Sequence, residues 1–409
     1  MTHTAPQAAI PGDRRSRRLV GVDATRGLAL LGMMAVHVLP GVDPDGGATT
    51  AHAIAGGRSA ATFAVLAGVG LALLTGGTRP VTGRRYGGAA AGLVVRAIAI
   101  GAIGLFLGFA DSGLAVILAY YAVLFILAIP LLPLRAAPLM TIGLAVAFLV
   151  PVLSHLTRAD NRLPFGGRNP TFETLVDAPG DFPAALLLTG YYPALAWTAY
   201  LCAGLAAGRL PLRERRTAAW LLGGGTALAV AASAASSILL GPLDGRNRIA
   251  ATLADPAGLD AALELGLYGN TPTSTWWWLA VDAAHSSTPL DLLHTIGVAL
   301  GLLGALLLLA SAGRFWRAAL TPLAAAGSMT LSLYTGHVLL VASDLLPEDP
   351  EVSYGVQVWA ALVLALLWRR YLGQGPLERV VALLAGPARR AVEGEPAPAH
   401  PAQPATERG

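Results

Sequence analysis

The sequence predicts an all-α protein, a polytopic integral membrane helical bundle of about ten transmembrane helices with both termini in the cytoplasm. Of its 409 residues, 55% are hydrophobic and only 13% are charged, and the mean hydropathy is +0.60. Apolar stretches of the roughly 20 residues that cross a bilayer recur along the whole chain. All basic residues are arginines, and they gather in alternate connections between these stretches, as the positive-inside rule requires.

The predicted spans divide the chain into a membrane domain, residues 19–385, and two cytoplasmic tails. The basic N-terminal tail covers residues 1–18, and a disordered tail rich in Pro and Ala covers residues 386–409. Two outer loops, residues 157–182 and 241–289, are long enough to be functional. The outer loops are acidic, and the arginine pattern favours a multi-pass protein of the plasma membrane. The predicted spans are residues 20–40, 58–75, 89–110, 113–133, 137–156, 183–208, 217–240, 290–312, 321–345 and 353–372.

Charged residues inside the predicted spans are costly in hydrocarbon and therefore indicate pairing or a polar cavity. Asp23 and Arg26 lie three residues apart at the cytoplasmic start of the first span, and we predict a structural charge pair there. Arg96 lies about a third of the way along the third span. Asp23, Tyr120 and Tyr121 are its candidate partners, and the sequence does not choose among them.

Six of the eight histidines fall in predicted outer loops or in the outer halves of spans. A neutral imidazole accepts a proton near neutral pH, so such a cluster indicates acid and base chemistry. The alternative is a set of separate histidines at the membrane interface. Asp291 and His294, three residues apart, form the best local pair. No tight ligand pattern recurs and Cys202 is the single cysteine, so we predict no metal site. The six are His37, His52, His155, His285, His294 and His337.

The first predicted span contains the stretch Asp23-Ala-Thr-Arg26-Gly27-Leu-Ala-Leu-Leu-Gly32, which His37 follows. This stretch resembles the first-helix signature of the heparan-alpha-glucosaminide N-acetyltransferase-like family of membrane acyltransferases. A related bacterial membrane family of unknown function shares it. Weaker similarities lie at residues 57–68, 189–197, 327–334 and 375–378.

The resemblance implies that an acetyl group passes from cytoplasmic acetyl-CoA to a sugar amine or hydroxyl on the far side of the membrane. The family's key histidine lies in the first outer loop, where His52 is the only histidine here, so His52 is the expected base. His37 falls where the lysosomal enzyme has an asparagine, and we expect it to orient the acceptor or to stabilise the oxyanion. Arg58 replaces an aspartate, which argues against heparan sulfate as the acceptor.

The remaining expectations concern substrates and partners. We expect Asp291, His294 and His285 to bind the acceptor, a small molecule or glycan, and Arg84 and Arg85 to contact CoA phosphates. The bilayer is the other partner, no nucleic acid is expected, and the oligomeric state, a homodimer included, stays open. Two alternatives remain. One is a transporter or exporter with Asp23, Arg96 and Tyr120 along its path, and the other is a regulatory or assembly protein.

Overall fold

A computed structural model describes residues 19–158, 164–269 and 271–393, and within these ranges the protein is helical and contains no strand. The predicted N-terminal tail, residues 1–18, and residues 394–409 of the predicted C-terminal tail lie outside the described residues. The described helices are α1 (Val20–Val38), α2 (Thr50–Ala55), α3 (Arg58–Leu74), α4 (Gly83–Leu107), α5 (Leu118–Ala128), α6 (Ala136–Thr157), α7 (Phe172–Asp177), α8 (Asp181–Ala184), α9 (Ala194–Gly208), α10 (Arg215–Leu240), α11 (Gly245–Ala250), α12 (Leu259–Leu265), α13 (Pro289–Ser311), α14 (Arg314–Ala319), α15 (Thr321–Gly327), α16 (Thr330–Val341), α17 (Pro350–Tyr371) and α18 (Pro376–Glu393).

The long apolar helices confirm a multi-pass helical membrane protein. Among the described residues, six segments are long and apolar enough to cross a membrane: α2 with α3, α4, α6, α10, α13 and α17. The bent pair α15 and α16 makes a seventh if it counts as one span. Each of the ten predicted spans falls on helix, but α5 and α9 are short and α1 carries two charges. The number of ten spans and the side of each terminus therefore stay predictions.

The predicted span 183–208 is wrong as one continuous helix. A π-helical turn covers residues 185–189, and α9 begins only at Ala194. Pro193 has no backbone N–H to continue a helical ladder. Gly190 is extended, and a Cβ atom on it would lie 2.3 Å from the Tyr120 hydroxyl oxygen. The break thus lets the chain pass closely over α5 before α9 enters the core.

The predicted span 321–345 is also divided, because α15 and α16 meet at a bend of 80°. Gly327 ends α15 against α1, and a Cβ atom there would lie only 1.7 Å from the Asp23 carbonyl oxygen. Only glycine fits so close an approach. The bend exposes the first amides of α16, and Glu378 Oε1 accepts hydrogen bonds from Leu331 N at 2.7 Å and Ser332 N at 3.2 Å. A carboxylate is favourable at a helix N-terminus.

Helix α9 lies in the centre of the bundle, since nearly all of its residues are buried. Small residues bring its neighbours close, as they commonly do between helices in membranes. Gly204 packs on the backbone of Val65 in α3, and Gly143 of α6 packs on Cys202. On the other side of the bundle, Gly225 of α10 packs against Gly301 of α13.

We name the two ends of the bundle by their residues. The basic end holds the starts of α1, α4 and α10 with Arg84, Arg85 and Arg216, and the histidine end holds the end of α1, α2 and the start of α13. Helix α18 runs antiparallel to the first half of α4, with Gly88 packed on the Arg389 carbonyl and Gly92 on that of Ala385. Residues 386–393, which the sequence assigned to the tail, are therefore part of this packed helix.

Candidate active site

His52 is held on the short helix α2 at the histidine end. The side chain of Thr49 caps this helix by accepting a hydrogen bond from the backbone N–H of His52. The His52 ring is buried, and its Nε2 lies 2.9 Å from the carbonyl oxygen of Leu265. Because a carbonyl oxygen only accepts, Nε2 carries the proton in the neutral ring, and the lone pair lies on Nδ1. His52 therefore has the tautomer that a general base acting through Nδ1 requires.

His285 lies in the loop before α13, next to His52. Its ring is surrounded by the aromatic rings of Tyr192, Trp197 and Tyr268, with ring centroids 5.5, 6.5 and 6.1 Å away. Burial, with a smaller contribution from His52, lowers the pKa of His285 to about 4. His285 is thus neutral at pH 7 and contributes an imidazole to the site without a positive charge.

His37, at the end of α1, is joined to a histidine from the second half of the chain. His37 Nδ1 lies 3.0 Å from Nε2 of His337 in α16, and the two rings are nearly coplanar, with 8° between their planes. His337 Nδ1 in turn lies 2.7 Å from Oε1 of Gln357 in α17. His285 lies within electrostatic range of both His37 and His52, so the structure brings these histidines to one place.

Asp291 and His294 lie on α13 as predicted, but they do not bind each other. His294 Nε2 accepts a hydrogen bond from Arg58 Nε at 3.1 Å, and its Nδ1 donates to the Ala229 carbonyl oxygen at 3.1 Å. Both ring nitrogens are occupied, so His294 orients Arg58 and has no lone pair left for acceptor chemistry. Asp291 is buried, and its Oδ2 accepts from Ser287 N at 2.9 Å. Its Oδ1 has no hydrogen-bond partner among the described residues.

The loop that carries His285 has a strained backbone. His285 and Ser287 have φ angles of 56° and 52°, in the left-handed region that side chains other than glycine seldom adopt. Such residues cost about 1–3 kcal/mol each and persist where the surroundings hold them. Gly269 N donates to the His285 carbonyl at 2.6 Å, and Gly57, with φ of 68°, lets α3 start directly against Ala284. The fold therefore fixes the His285 ring in place.

A cavity opens at the basic end. Its volume is about 510 Å³, which is typical of a small-molecule binding site. Four charged residues line it: Asp23, Arg26, Arg96 and Glu378. Arg26 Nη1 lies 3.5 Å from Asp23 Oδ1, and Arg26 Nη2 donates to the Leu66 carbonyl at 3.0 Å. The buried hydroxyl of Tyr121, also in the lining, has no partner among the described residues. The cavity thus combines guanidinium groups with an unpaired polar atom.

The predicted CoA contacts, Arg84 and Arg85, lie elsewhere. Both are exposed at the start of α4 and are absent from the lining of this cavity, to which α4 contributes Arg96 instead. Along α1 the lining runs from Leu19 to Met33. His37 follows Met33 by one helical turn, or about 6 Å. The cavity therefore stops about one turn short of the histidine cluster.

A comparison with known protein families gives a match over the N-terminal part of the chain. The family model described as heparan-alpha-glucosaminide N-acetyltransferase, catalytic, matches residues 18–239, which is more than half of the chain. The chain belongs to this family. The match confirms the resemblance seen in the sequence, and a comparison with curated proteins finds none that matches. Residues 18–239 contain His37, His52 and Arg96, whereas His285, α13, α16 and α17 come after them.

Sequence reasoning missed two residues of the site in this member of the acetyltransferase family. His337 was counted among the outer histidines without a role, and Gln357 was not considered. A signal existed, because a glutamine between Val356 and Val358 in an apolar helix is costly unless it is bonded. The sequence does not show that α17 turns this glutamine towards α16.

Proposed function

We propose that this chain transfers an acetyl group from acetyl-CoA, bound in the cavity at the basic end, to the amine or hydroxyl of a sugar acceptor at the histidine end. The observation that carries the proposal is the arrangement along α1. Arg26, near its start, lines a cavity with two guanidinium groups, and His37, at its end, lies in a cluster of imidazoles. Family membership supports the reaction type, and this geometry supports a separate binding place for each substrate.

The donor would bind through charge and size. Arg26 and Arg96 are suited to phosphate groups, because a guanidinium forms paired, charge-assisted hydrogen bonds with them. The apolar wall near Met33 and Phe63 would take the acyl-bearing end. Arg84 and Arg85 remain predicted contacts for whatever part of the donor emerges from the cavity. The plasma membrane, with the basic end in the cytoplasm, is the location this orientation implies.

The acceptor would bind on the histidine side of Met33. His52 Nδ1 removes a proton from the acceptor amine, and the amine nitrogen then attacks the thioester carbonyl carbon. The carbon–sulfur bond breaks, and CoA leaves as a thiolate that takes up the proton that His52 removed, which returns the base to its starting state. General base catalysis of this kind contributes roughly a hundredfold or more. The unpaired Oδ1 of Asp291 would accept a hydrogen bond from the acceptor, and His285 would pack against it.

The test is a transfer assay with the purified protein in lipid nanodiscs. The protein is incubated with acetyl-CoA labelled in the acetyl group and a panel of amino sugars, and donor binding is measured separately by equilibrium dialysis. We expect His52→Ala to lower transfer roughly a hundredfold or more while it still binds the donor. We expect Arg96→Met to weaken donor binding about tenfold or more, since it removes hydrogen bonds to a charged group. The exposed Arg216→Met, at the same end, should change neither donor binding nor transfer.

Three results would count against the proposal. If the wild-type protein binds no acetyl-CoA, or binds it and acetylates no acceptor, the transporter or the regulatory alternative is the better reading. Full turnover by His52→Ala would mean that another residue is the base. A milder effect is expected for His37→Asn, because it restores the amide of the lysosomal enzyme.

A further inference from the structure

Three helices contribute one polar chain at the histidine end. His37 of α1, His337 of α16 and Gln357 of α17 are joined by the contacts of 3.0 and 2.7 Å described above. His337 is 2% exposed and Gln357 is 4% exposed, whereas His37 is only half-buried. The hydrogen-bonded series therefore begins at a half-buried ring and ends inside the bundle.

The inner end of the chain determines where the hydrogens lie. Gln357 Nε2 donates to Ser353 Oγ at 3.4 Å, which leaves Gln357 Oε1 facing His337. An amide oxygen only accepts, so His337 Nδ1 carries the hydrogen and its Nε2 carries a lone pair. His37 Nδ1 must then donate to that lone pair. The second nitrogen of His37, Nε2, then carries a lone pair that accepts no hydrogen bond from the part of the chain that the structure describes.

We propose that His337 and Gln357 are positioning residues that hold His37 as the Nδ1–H tautomer, so that His37 Nε2 accepts a hydrogen bond from the acceptor amine or hydroxyl. The inference rests on the proposed function and deepens it. It decides between the two roles expected for His37, because an Nε2 without hydrogen cannot donate to an oxyanion. His37 then orients the acceptor so that the lone pair of the attacking nitrogen or oxygen points at the acyl carbon, while His52 removes the proton.

A buried glutamine serves this purpose better than a carboxylate would in one respect. It fixes the tautomer of both rings without adding a charge to a site that already holds several imidazoles and the carboxyl group of Asp291. A third residue that orients an imidazole through its second nitrogen is a recurrent arrangement, and in serine proteases the wrong tautomer costs about 10⁴ in rate. The loss here should be smaller, because without Gln357 both tautomers of His337 remain accessible.

The test has a spectroscopic and a kinetic part. The protein is labelled with ¹⁵N-histidine, reconstituted in lipid and studied by magic-angle-spinning NMR, with the His37 signals assigned through His37→Asn. We expect an unprotonated Nε2 and a protonated Nδ1 on His37 in the wild type. Gln357→Leu removes the acceptor and should give a mixture of tautomers. Gln357→Glu keeps an acceptor and should restore the wild-type pattern.

In the transfer assay, Gln357→Leu should lower kcat roughly tenfold and leave the KM for acetyl-CoA unchanged, and Gln357→Glu should recover most of that loss. Val356→Ala is the matched control, because Val356 neighbours Gln357 on α17 and is 48% exposed. It should change neither the spectrum nor kcat.

Two results would overturn the inference alone. One is a protonated Nε2 on wild-type His37. The other is an unchanged His37 spectrum in Gln357→Leu, which would mean that the chain only holds helices together. If the wild type acetylates no acceptor, the role of His37 in transfer falls together with the proposed function, and the NMR result then reports on the hydrogen-bond chain by itself.

Discussion

Replacing Arg209 should destabilise the bundle more than replacing any other arginine of its loop. Arg209 follows α9 at the basic end and is 5% exposed. Its Nη1 donates to the carbonyl oxygens of Ala72, Thr75 and Gly77 at 2.9, 3.1 and 3.0 Å. Its Nη2 and Nε donate to the carbonyl oxygens of Leu132 and Leu134 at 2.5 and 3.3 Å. One guanidinium therefore joins the end of α3 to the segment after α5.

The magnitude follows from the carbonyl groups that would lose their donor. A hydrogen bond to a charged group contributes about 1.5–3 kcal/mol, but the bonds around one guanidinium are not additive. The end of the bundle can also admit some water to these carbonyls. We therefore expect Arg209→Ala to lower the free energy of unfolding by about 3–5 kcal/mol, as for other broken buried charge networks. Arg209→Lys should lose about half as much, because an ammonium group has only three donors.

The assay is denaturation in mixed micelles followed by tryptophan fluorescence, for which the chain has eight tryptophans. Arg216→Ala is the control. Arg216 is exposed in the same loop region, so its replacement should change the free energy by less than about 0.5 kcal/mol. An Arg209→Ala variant within about 1 kcal/mol of the wild type would contradict this expectation, since the carbonyls would then be satisfied without the guanidinium.

Two further predictions concern sidedness and pH. After Cys202 is replaced, single cysteines are introduced and labelled with an impermeant reagent added to intact cells. Cysteines at Asp45 and Asp282 should react, and cysteines at Arg84 and Arg213 should not. Labelling at either arginine position would contradict the predicted orientation. Folding lowers the pKa of His285 from 6.5 to about 4. Between these two pH values the unfolded chain therefore binds a proton at His285 and the folded chain does not. The free energy of unfolding should therefore fall as the pH drops from 6.5 to 4, by about 3 kcal/mol at pH 4. In the same denaturation assay, His285→Gln should remove this part of the dependence of stability on pH. An equal pH dependence in the variant would contradict the prediction.

The parts of the fold that the sequence predicted well are those governed by local composition. Every predicted span falls on helix, since an apolar stretch in lipid has few other ways to satisfy its backbone. The two breaks were missed for a reason that is not local. Gly190 and Gly327 are common residues in membrane helices, and what makes each the end of a helix is a neighbour, the Tyr120 ring or the α1 backbone, that lies far away in the sequence.

The site shows the same division. The clustering of histidines at one end was visible in the sequence, and His37, His52 and His285 do come together there. The pairing within the cluster was not visible. His294 was expected to act with Asp291, but its two ring nitrogens are hydrogen-bonded to Arg58 and to the carbonyl oxygen of Ala229. Arg96 and not Arg84 lines the cavity, because the cavity forms in the inner part of the bundle, where α4 meets α1 and α18.

Hydropathy and one contiguous motif were enough to predict a membrane protein, its long apolar helices and its family, because these are properties of short segments. The protonation pattern of the imidazoles could be read only from the packed helices. His52 depends on the carbonyl of Leu265, and His37 depends on His337 and, through it, on Gln357. A hydrogen-bond direction is set by the partner across a contact, and those partners come together only when helices distant in the chain have packed.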